Sequence, residues 1–450
     1  MGEKEIIKGN YLEITGSDFG LSSNEVVISL DDFEVIFNLE NGKFIEIEES
    51  SLLNKSELKK FLSKVGFYDS IGEVKISNND IHMLFPTVEI NKKCNLACKY
   101  CFINSNERSN NEIKIEDTVD FIKILKNKFN DIRHINIDFT GSGEPLLSYK
   151  KIQKIIDRID DDFEFNSCTY SFCSNGTIYS KEIKKFIKNN KIHFGISIDG
   201  TQKIHDKYRV KADNSKTHSL IMDNKKKYSK KTYGAAVSYA LDNPLSESFQ
   251  FLSNEFDNIA MKPIRYDNND WNVNNLLVEY EKIYDYLCKE TYRNNFNPLK
   301  AIMSDEDLFG KFIRRVFLYQ INAVRCGASV SKYALSLDKS IYICGAAIGY
   351  DEFKIGNLIE GINDSKVEII RNKLLQKSKC KHCWAKSICA GPCLVNNYQI
   401  SKNYDMLPEN ICLLSKSLIT KALRLKYYLY KNKPKIYKKV MEISRDNHYK

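Results

Sequence analysis

Between residue 85 and about residue 300, strand-like runs of β-branched and aromatic residues alternate with amphipathic helical patterns, and this alternation constrains the fold more than any other feature. The runs fall at 87–90, 135–140, 170–174, 193–198, 232–239 and 260–265; helical spacing occupies 115–128, 181–188 and 276–287 between and after them. Strands joined through helices pair in parallel, because each crossover returns the chain to the same end of the sheet. The expectation is an α/β fold built on a curved or barrel-like parallel sheet of six βα units. Its chemistry should collect at the carboxyl ends of the strands.

At 450 residues the chain is too long for a single core. Residues 1–84 are expected to form a small α+β module. Strands are read at 25–30, 34–39 and 43–48, with Asn41-Gly42 as a hairpin turn. A helix is read at 56–65, with Leu58, Phe61 and Leu62 on one apolar face. Residues 85–300 carry the alternating pattern, 301–420 are cysteine-rich, and 421–450 read as a basic helix or tail. The first ten residues lack an apolar signal core. No run approaches the ~18 apolar residues of a membrane span. A cytoplasmic protein without membrane partners is expected.

The net charge of +10 is uneven, since residues 1–85 hold roughly 8 more acids than bases. Much of the basic excess lies in 421–450, where Lys and Arg alternate with Leu425, Tyr427, Tyr428 and Leu429. That pattern reads as a helix docked on the body, with an RNA or other anionic partner as the lesser alternative.

The chain holds 13 cysteines. In a reducing compartment that many are more often ligands or catalytic thiols than disulfides. Cys94, Cys98 and Cys101 follow the first strand in a C-x3-C-x2-C run, with no fourth cysteine nearby. Three thiolates can hold three irons of a [4Fe–4S] cluster and leave the fourth open. A zinc site, which prefers paired C-x2-C hooks, and a ferredoxin loop, with its different spacing, fit less well.

Here the chain resembles the radical SAM superfamily, whose hallmark is this spacing with an aromatic, Tyr100, before the last cysteine. The resemblance implies a partial (β/α)6 barrel in which the open iron binds S-adenosylmethionine. Reductive cleavage then yields a 5′-deoxyadenosyl radical, with a flavodoxin- or ferredoxin-type protein as external electron donor. Gly141-Ser142-Gly143-Glu144-Pro145 looks like the family's glycine-rich loop, with Ser142 in a glycine position, and its polar groups would receive the methionine ammonium. Ser174-Asn175-Gly176-Thr177, Ser197-Ile198-Asp199-Gly200 and His205 to Arg209 resemble later family motifs, and Arg209 would pair with the methionine carboxylate. The implied cofactor contacts are Tyr100, Ser142, Gly143, Glu144, Asn175, Ser197 and Arg209; no residue stands out as general acid or base. Taken singly, each of these loops is also an ordinary strand exit.

Seven more cysteines follow: Cys326, Cys344, then Cys380-x2-Cys383-x5-Cys389-x3-Cys393, then Cys412. This set resembles the SPASM extension of radical SAM maturases of peptides and sulfatases. The resemblance implies two auxiliary [4Fe–4S] clusters, three in all. One would take Cys326, Cys344 and Cys393 and keep an open or non-cysteine position, and the other Cys380, Cys383, Cys389 and Cys412. Two zinc knuckles are the alternative for this segment. Lys339 replaces the glycine usual before the second cysteine. Gly345 replaces an aspartate that serves sulfatase maturases as a base, which counts against formylglycine formation. Cys168, Cys173 and Cys288 fit no spacing and read as buried free thiols.

The amino-terminal module looks like a shortened winged-helix peptide-recognition element, which grips a leader peptide along an open sheet edge. A cap on the barrel mouth is the plain alternative. The leading expectation is therefore a maturase of a ribosomally made precursor peptide that installs an intramolecular cross-link, best a cysteine thioether. Carbon–carbon or ether links form a related version. An RNA- or small-molecule-modifying enzyme and a non-catalytic metal scaffold are the competing classes, with nucleic acid disfavoured by the SPASM-like cysteines.

Overall fold

The computed structural model describes residues 6–7, 11–15, 24–30, 33–48, 55–69, 81–101, 109–129, 131–228, 234–239, 243–263, 273–304, 306–322, 324–375, 380, 382–403 and 407–446. The chain divides into two compact units. One comprises Met1–Val74, Asn268–Arg325 and Leu375–Lys450, the other Lys75–Asp267 and Cys326–Leu374.

The first unit holds an antiparallel meander of β1 (Ile6–Ile7), β2 (Tyr11–Thr15), β3 (Glu25–Leu30), β4 (Phe33–Asn38) and β5 (Phe44–Glu48), paired in chain order. The helix Lys55–Lys64 follows. β3 to β5 and the helix fall where the sequence places them, whereas β1 and β2 carry no strand expectation. Leu58, Leu62 and Phe67 pack on Val27, Ile36 and Ile47. Phe61, expected on the same face, is 40% exposed. At about 100° per residue it lies on the opposite flank from Leu62 relative to Leu58, at the rim of the stripe.

β4 is buried on both faces. Its even positions meet that helix, while its odd positions meet the carboxyl-terminal part of the unit: Phe33 stacks on Tyr427 at 4.3 Å, and Phe37 lies 5.0 Å from Trp384. Tyr427 belongs to the helix Glu409–Asn432, which runs through residue 421 without a break and is followed by the helix Pro434–Asp446. Two lysines of the first of these helices are deeply buried, Lys421 at 3% and Lys426 at 2% exposure. Each has an acidic partner, Glu281 at 2.6 Å and Glu46 at 2.9 Å. The basic helix is thus docked, and part of its charge is neutralised inside the unit.

The second unit holds the parallel sheet. β6 (Met83–Leu84), β7 (Thr87–Val88), β8 (His134–Asp138), β9 (Ser167–Ser174), β10 (His193–Ser197), β11 (Gly234–Tyr239) and β12 (Ile259–Pro263) cover all six expected strands. Residues 232–233 and 264–265 of those expectations lie outside the described residues. The order is β12-β11-β10-β9-β8-β7 with every pair parallel, and β6 also pairs with β8. This is the parallel sheet that the alternating pattern predicts.

Beyond β7 the sheet continues through β13 (Ala334–Leu335), β14 (Ser340–Tyr342), β15 (Lys354–Asn357) and β16 (Gly361–Ile362), all from the cysteine-rich part of the chain. β13 is parallel to β7 and the remaining pairs are antiparallel. In the turn between β13 and β14, Lys339 has φ +68°, the left-handed backbone a glycine would adopt. The lysine keeps that turn at a cost of about 1–2 kcal/mol. Its Nζ pairs with Asp117 at 3.1 Å.

The two faces of the sheet differ. Ile135, Ile137, Phe172, Ile196 and Val237 are buried on one face. On the other, Asn136 bonds Thr169 and Ser171, Thr140 bonds Asp138, and Cys173 bonds Ser197. Alternation along each strand produces both faces at once. Among the described residues, no helix is long and apolar enough to cross a membrane.

Candidate functional site

The cysteine loop begins where β7 ends, at the carboxyl edge of the parallel sheet. Asn91 is fully buried there, its amide donating to the Glu144 carbonyl at 3.2 Å and to Ser148 Oγ at 2.7 Å. The Glu144 N–H donates to the Lys93 carbonyl at 2.6 Å. These bonds seat the 141–145 loop directly on the chain entering the three cysteines. Gly143 is required by that closeness: a Cβ there would stand 2.2 Å from Asn91 Oδ1 and 2.4 Å from the Lys93 carbonyl oxygen. Ser142, in a glycine position of the motif, donates its hydroxyl to Glu89, whose other carboxylate oxygen accepts from Leu337 N–H at 3.0 Å.

Glu144 turns its carboxylate inward. Oε1 accepts from Leu146 N–H at 3.0 Å and Ser174 Oγ at 2.7 Å, and Oε2 accepts from Asn175 N–H at 2.7 Å. Burial raises its pKa against the pull of those three donors. Glu144 therefore fastens the loop after β8 to the loop after β9. Asn175 then reaches the cysteine loop, its amide donating to Asn95 Oδ1 at 2.8 Å and approaching Cys94 Sγ at 3.9 Å. Thr177 closes the ring by accepting from the Asn95 amide at 2.8 Å.

On the far side of the cysteines, Asp199 is the hub. Its Oδ2 accepts from Tyr100 OH at 2.6 Å and from Arg209 Nε at 3.0 Å, and its Oδ1 accepts from Ser238 N–H at 3.0 Å. The Arg209 guanidinium lies 5.3 Å from the centre of the Tyr100 ring. Burial opposes the charge on Arg209, but Asp199, Tyr100 and Cys98 outweigh it and raise its pKa. Burial holds the Tyr100 hydroxyl well above its usual range, so it remains a donor. Burial also pushes the Cys98 thiol up to about 11, with Arg209 pulling the other way. A fixed cation beside sulfur atoms suits a donor set that must become anionic.

The stretch 205–209 supports Arg209 from behind. His205 Nδ1 accepts from Asp199 N–H at 3.3 Å, so its Nε2 carries the proton to Thr217 Oγ1 at 3.0 Å, and Thr217 donates to the Arg209 carbonyl at 2.7 Å. Asp206 Oδ1 caps the helix His218–Tyr228 by accepting from Thr217 and His218 N–H at 3.0 and 2.9 Å. Burial, aided by Arg209 and His218, drives the His205 pKa down to about 2. The folded protein thus takes no proton on His205 where the unfolded chain does, below about pH 6.5. Its contribution is intact above that pH and falls by about 1.4 kcal/mol per unit as the pH drops below it. Urea midpoints at pH 7.5 and 5.5 are expected to differ less in His205→Asn than in the wild type; equal differences would show that His205 is not held neutral.

Of the seven implied cofactor contacts, the structure gathers six around the cysteine loop: Tyr100, Ser142, Gly143, Glu144, Asn175 and Arg209. Ser197 lies one strand in, its Oγ 3.3 Å from Cys173 Sγ. Glu89, Asn91, Asn95, Thr177 and Asp199 join the same network, although none of them is among the implied cofactor contacts. Their partners lie 53 to 99 residues away for Asn91–Glu144, Asn95–Thr177 and Asp199–Tyr100, beyond any local pattern.

The remaining cysteines divide between the units. Cys326 and Cys344 flank β13 and β14 in the second. Gly345 is packed so closely that a Cβ would come within 2.9 Å of Thr87 Cγ2. In the first unit, Cys380 and Cys383 share a turn, Cys383 N–H donating to the Cys380 carbonyl at 3.2 Å. Cys389 ends the short helix Lys386–Cys389, which packs on the helix carrying Cys412. The β4–β5 hairpin braces this loop, since the Leu39 carbonyl accepts from Lys386 Nζ and Gly42 abuts Ser387. Cys168, Cys173 and Cys288 are free and partly buried, not fully buried. Burial pushes Cys168 up to about 11 and Cys288 up to about 12, against reactivity as thiolates.

Residues 88–236 match the radical SAM superfamily, so the chain carries a radical SAM domain, as radical SAM enzymes do. It is 25% identical to a cysteine-type anaerobic sulfatase-maturating enzyme of Clostridium novyi (strain NT) over 330 residues, 67% of this chain and 85% of that one. Its fold is similar to that of native anSMEcpe with bound AdoMet and Kp18Cys peptide, with TM-score 0.62 and 17% identity over 81% of this chain and 99% of that structure. It is also similar to Streptococcus suis SuiB bound to precursor peptide SuiA, with TM-score 0.50 and 17% identity over 82% of this chain and 95% of that one.

S-adenosylmethionine and a [4Fe–4S] cluster are the cofactors of such an enzyme. The site fits them: three cysteines lie on one loop, a buried cation stands beside them, and Asn91 Oδ1 is a buried acceptor without a hydrogen-bond partner among the described residues. That oxygen stands beside Gly143, where the chain leaves no side chain.

Proposed function

We propose that this chain is a maturase that joins two atoms within a ribosomally made precursor peptide, best a cysteine sulfur to a carbon. Cys94, Cys98 and Cys101 anchor the first cluster; Gly143, Asn91 and Arg209 address the amino acid end of the nucleoside. Bound there, the cofactor supplies the 5′-deoxyadenosyl radical that removes a hydrogen atom from the peptide. The chain's own groups hold that reaction in place: Asp199 orients Arg209 and Tyr100, and Glu144 ties two strand exits together. The polar sheet face bearing Asn136, Ser171 and Ser197 gives a peptide backbone hydrogen-bonding partners.

Formation of a thioether removes two hydrogens, one as an atom and the other as the thiol proton with an electron left over. Two auxiliary clusters would take that electron, three clusters in all, with Cys326, Cys344 and Cys393 in one and Cys380, Cys383, Cys389 and Cys412 in the other. An open position at the first would hold a peptide thiol as thiolate. The relatives that modify peptides support the substrate class. The observation that carries the choice against sulfatase-type oxidation is Gly345. A carboxylate there would have to displace Thr87 at the first strand of the sheet.

The test incubates anaerobically reconstituted, reduced protein with S-adenosylmethionine and the small peptide encoded beside it. A loss of about two hydrogens per link, localised to a cysteine by fragmentation, is expected for an oxidation joining two atoms. Conversion of cysteine to an aldehyde, or no change in mass, would defeat the proposal.

A further inference from the structure

Two arginines, Arg315 buried and Arg325 half-buried, converge on the chain around Cys389, and no part of the reaction described above uses them. Arg315, on the helix Leu308–Phe317, is 7% exposed. Its Nη1 donates to the carbonyls of Ile388 at 2.6 Å and Cys389 at 3.3 Å, and its Nη2 to the carbonyl of Arg325 at 2.9 Å. Arg325 is held by that last bond. It sends its own Nη1 to the Gly391 carbonyl at 3.1 Å and to Cys389 Sγ at 4.0 Å. Ala390 at φ +55° and Gly391 at φ +81° reverse the chain after Cys389, so that sulfur and carbonyl meet one guanidinium nitrogen. One arginine fixes the backbone on both sides, and the other reaches the sulfur.

We infer that Arg325 is a positioning residue for the auxiliary cluster on Cys380, Cys383, Cys389 and Cys412, donating to the Cys389 ligand sulfur and raising that cluster's reduction potential. This rests on the cluster assignment proposed above. Four thiolates make such a cluster anionic, and reduction adds another negative charge. A guanidinium bonded to one sulfur therefore stabilises the reduced form more than the oxidised form. Partners of this kind around a metal site set both geometry and electronic properties. The consequence is a cluster more ready to accept the electron left after hydrogen abstraction. Arg315 serves it indirectly by holding Arg325 and the Cys389 carbonyl in register.

The test is an anaerobic redox titration of the full-length reconstituted protein, followed by electron paramagnetic resonance, comparing the wild type with Arg325→Gln. One auxiliary midpoint is expected to fall by about 59 mV, a tenfold change in the one-electron equilibrium. Iron content and the signal responding to S-adenosylmethionine should remain as in the wild type. Should glutamine cost the cluster its iron, Arg325→Lys replaces it, because an ammonium lacks the planar fork and a smaller shift in the same direction is expected. An unmoved midpoint in whichever variant keeps its iron overturns the inference. Wild-type protein with only two cluster signals, and correspondingly less iron, would instead show that the cluster assignment has failed.

Discussion

Cys98→Ala is expected to lose about four iron atoms per chain and all reductive cleavage of S-adenosylmethionine, while the auxiliary cluster signals persist. Cys98 is the middle thiol of three on the loop after β7. It sits within the field of Arg209 and Asp199, each of which shifts its ionisation. With alanine there, two thiols remain, too few to anchor a cubane that must also keep one iron open. Arg209 would then face a cavity in place of an anion, although its pairing with Asp199 at 3.0 Å should keep the strand exits folded. Iron analysis and 5′-deoxyadenosine formation after dithionite reduction check the result. Wild-type cleavage in this variant would remove the basis for the entire functional reading.

The second large effect is expected from Gly143→Ala, one added methyl group. Its Cβ would lie 2.2 Å from Asn91 Oδ1, 2.4 Å from the Lys93 carbonyl oxygen and 2.9 Å from the Asn91 carbonyl oxygen. Two of these are backbone atoms of the chain entering the cysteine loop, so they can yield only if the loop itself shifts. Overpacking of this kind costs about 1–3 kcal/mol. The movement falls where the ligand would sit, so affinity for S-adenosylmethionine should drop at least about tenfold, the equivalent of 1.4 kcal/mol. The distant core should keep its stability. Equilibrium binding to iron-loaded protein, with circular dichroism as the control for folding, measures the effect. Unchanged affinity with full iron would show that the 141–145 loop does not shape the cofactor site.

These two variants mark the boundary between what local pattern reveals and what it does not. Cys98 was legible because metal ligation requires thiols at close sequence spacing. Gly143 was legible as part of a loop, but the reason for it, contact with Asn91 and Lys93, was not. Asp199 was legible only as part of a motif. It lay in a recognised strand exit, yet its partners Tyr100, Arg209 and Ser238 come from three separate segments. Glu144, named as a cofactor contact, uses its carboxylate to tie Leu146, Ser174 and Asn175 together, a role no local pattern shows. In the amino-terminal segment β3 to β5 and the helix Lys55–Lys64 follow the sequence pattern, while β1 and β2 carry no such signal. That both faces of β4 are covered, one by Leu58 and Leu62 and the other by Tyr427 and Trp384, had no signature in 25–48 beyond a continuous apolar run.

Periodicity and ligation act over a few residues, so the six strands, the helices at 115–128 and 181–188 and the cysteine spacings are legible in the chain alone. Tertiary structure alone decided that residues 1–74 share a unit with 375–450, that β13 extends the parallel sheet from β7, and that Asp199 and Glu144 fasten the cysteine loop. The physical reason is range: a hydrogen bond or a packed ring needs proximity in space, and many distant pairs along a chain of this length could supply it. Folding selects among them through the burial of both faces of a sheet at once, a property no single segment possesses.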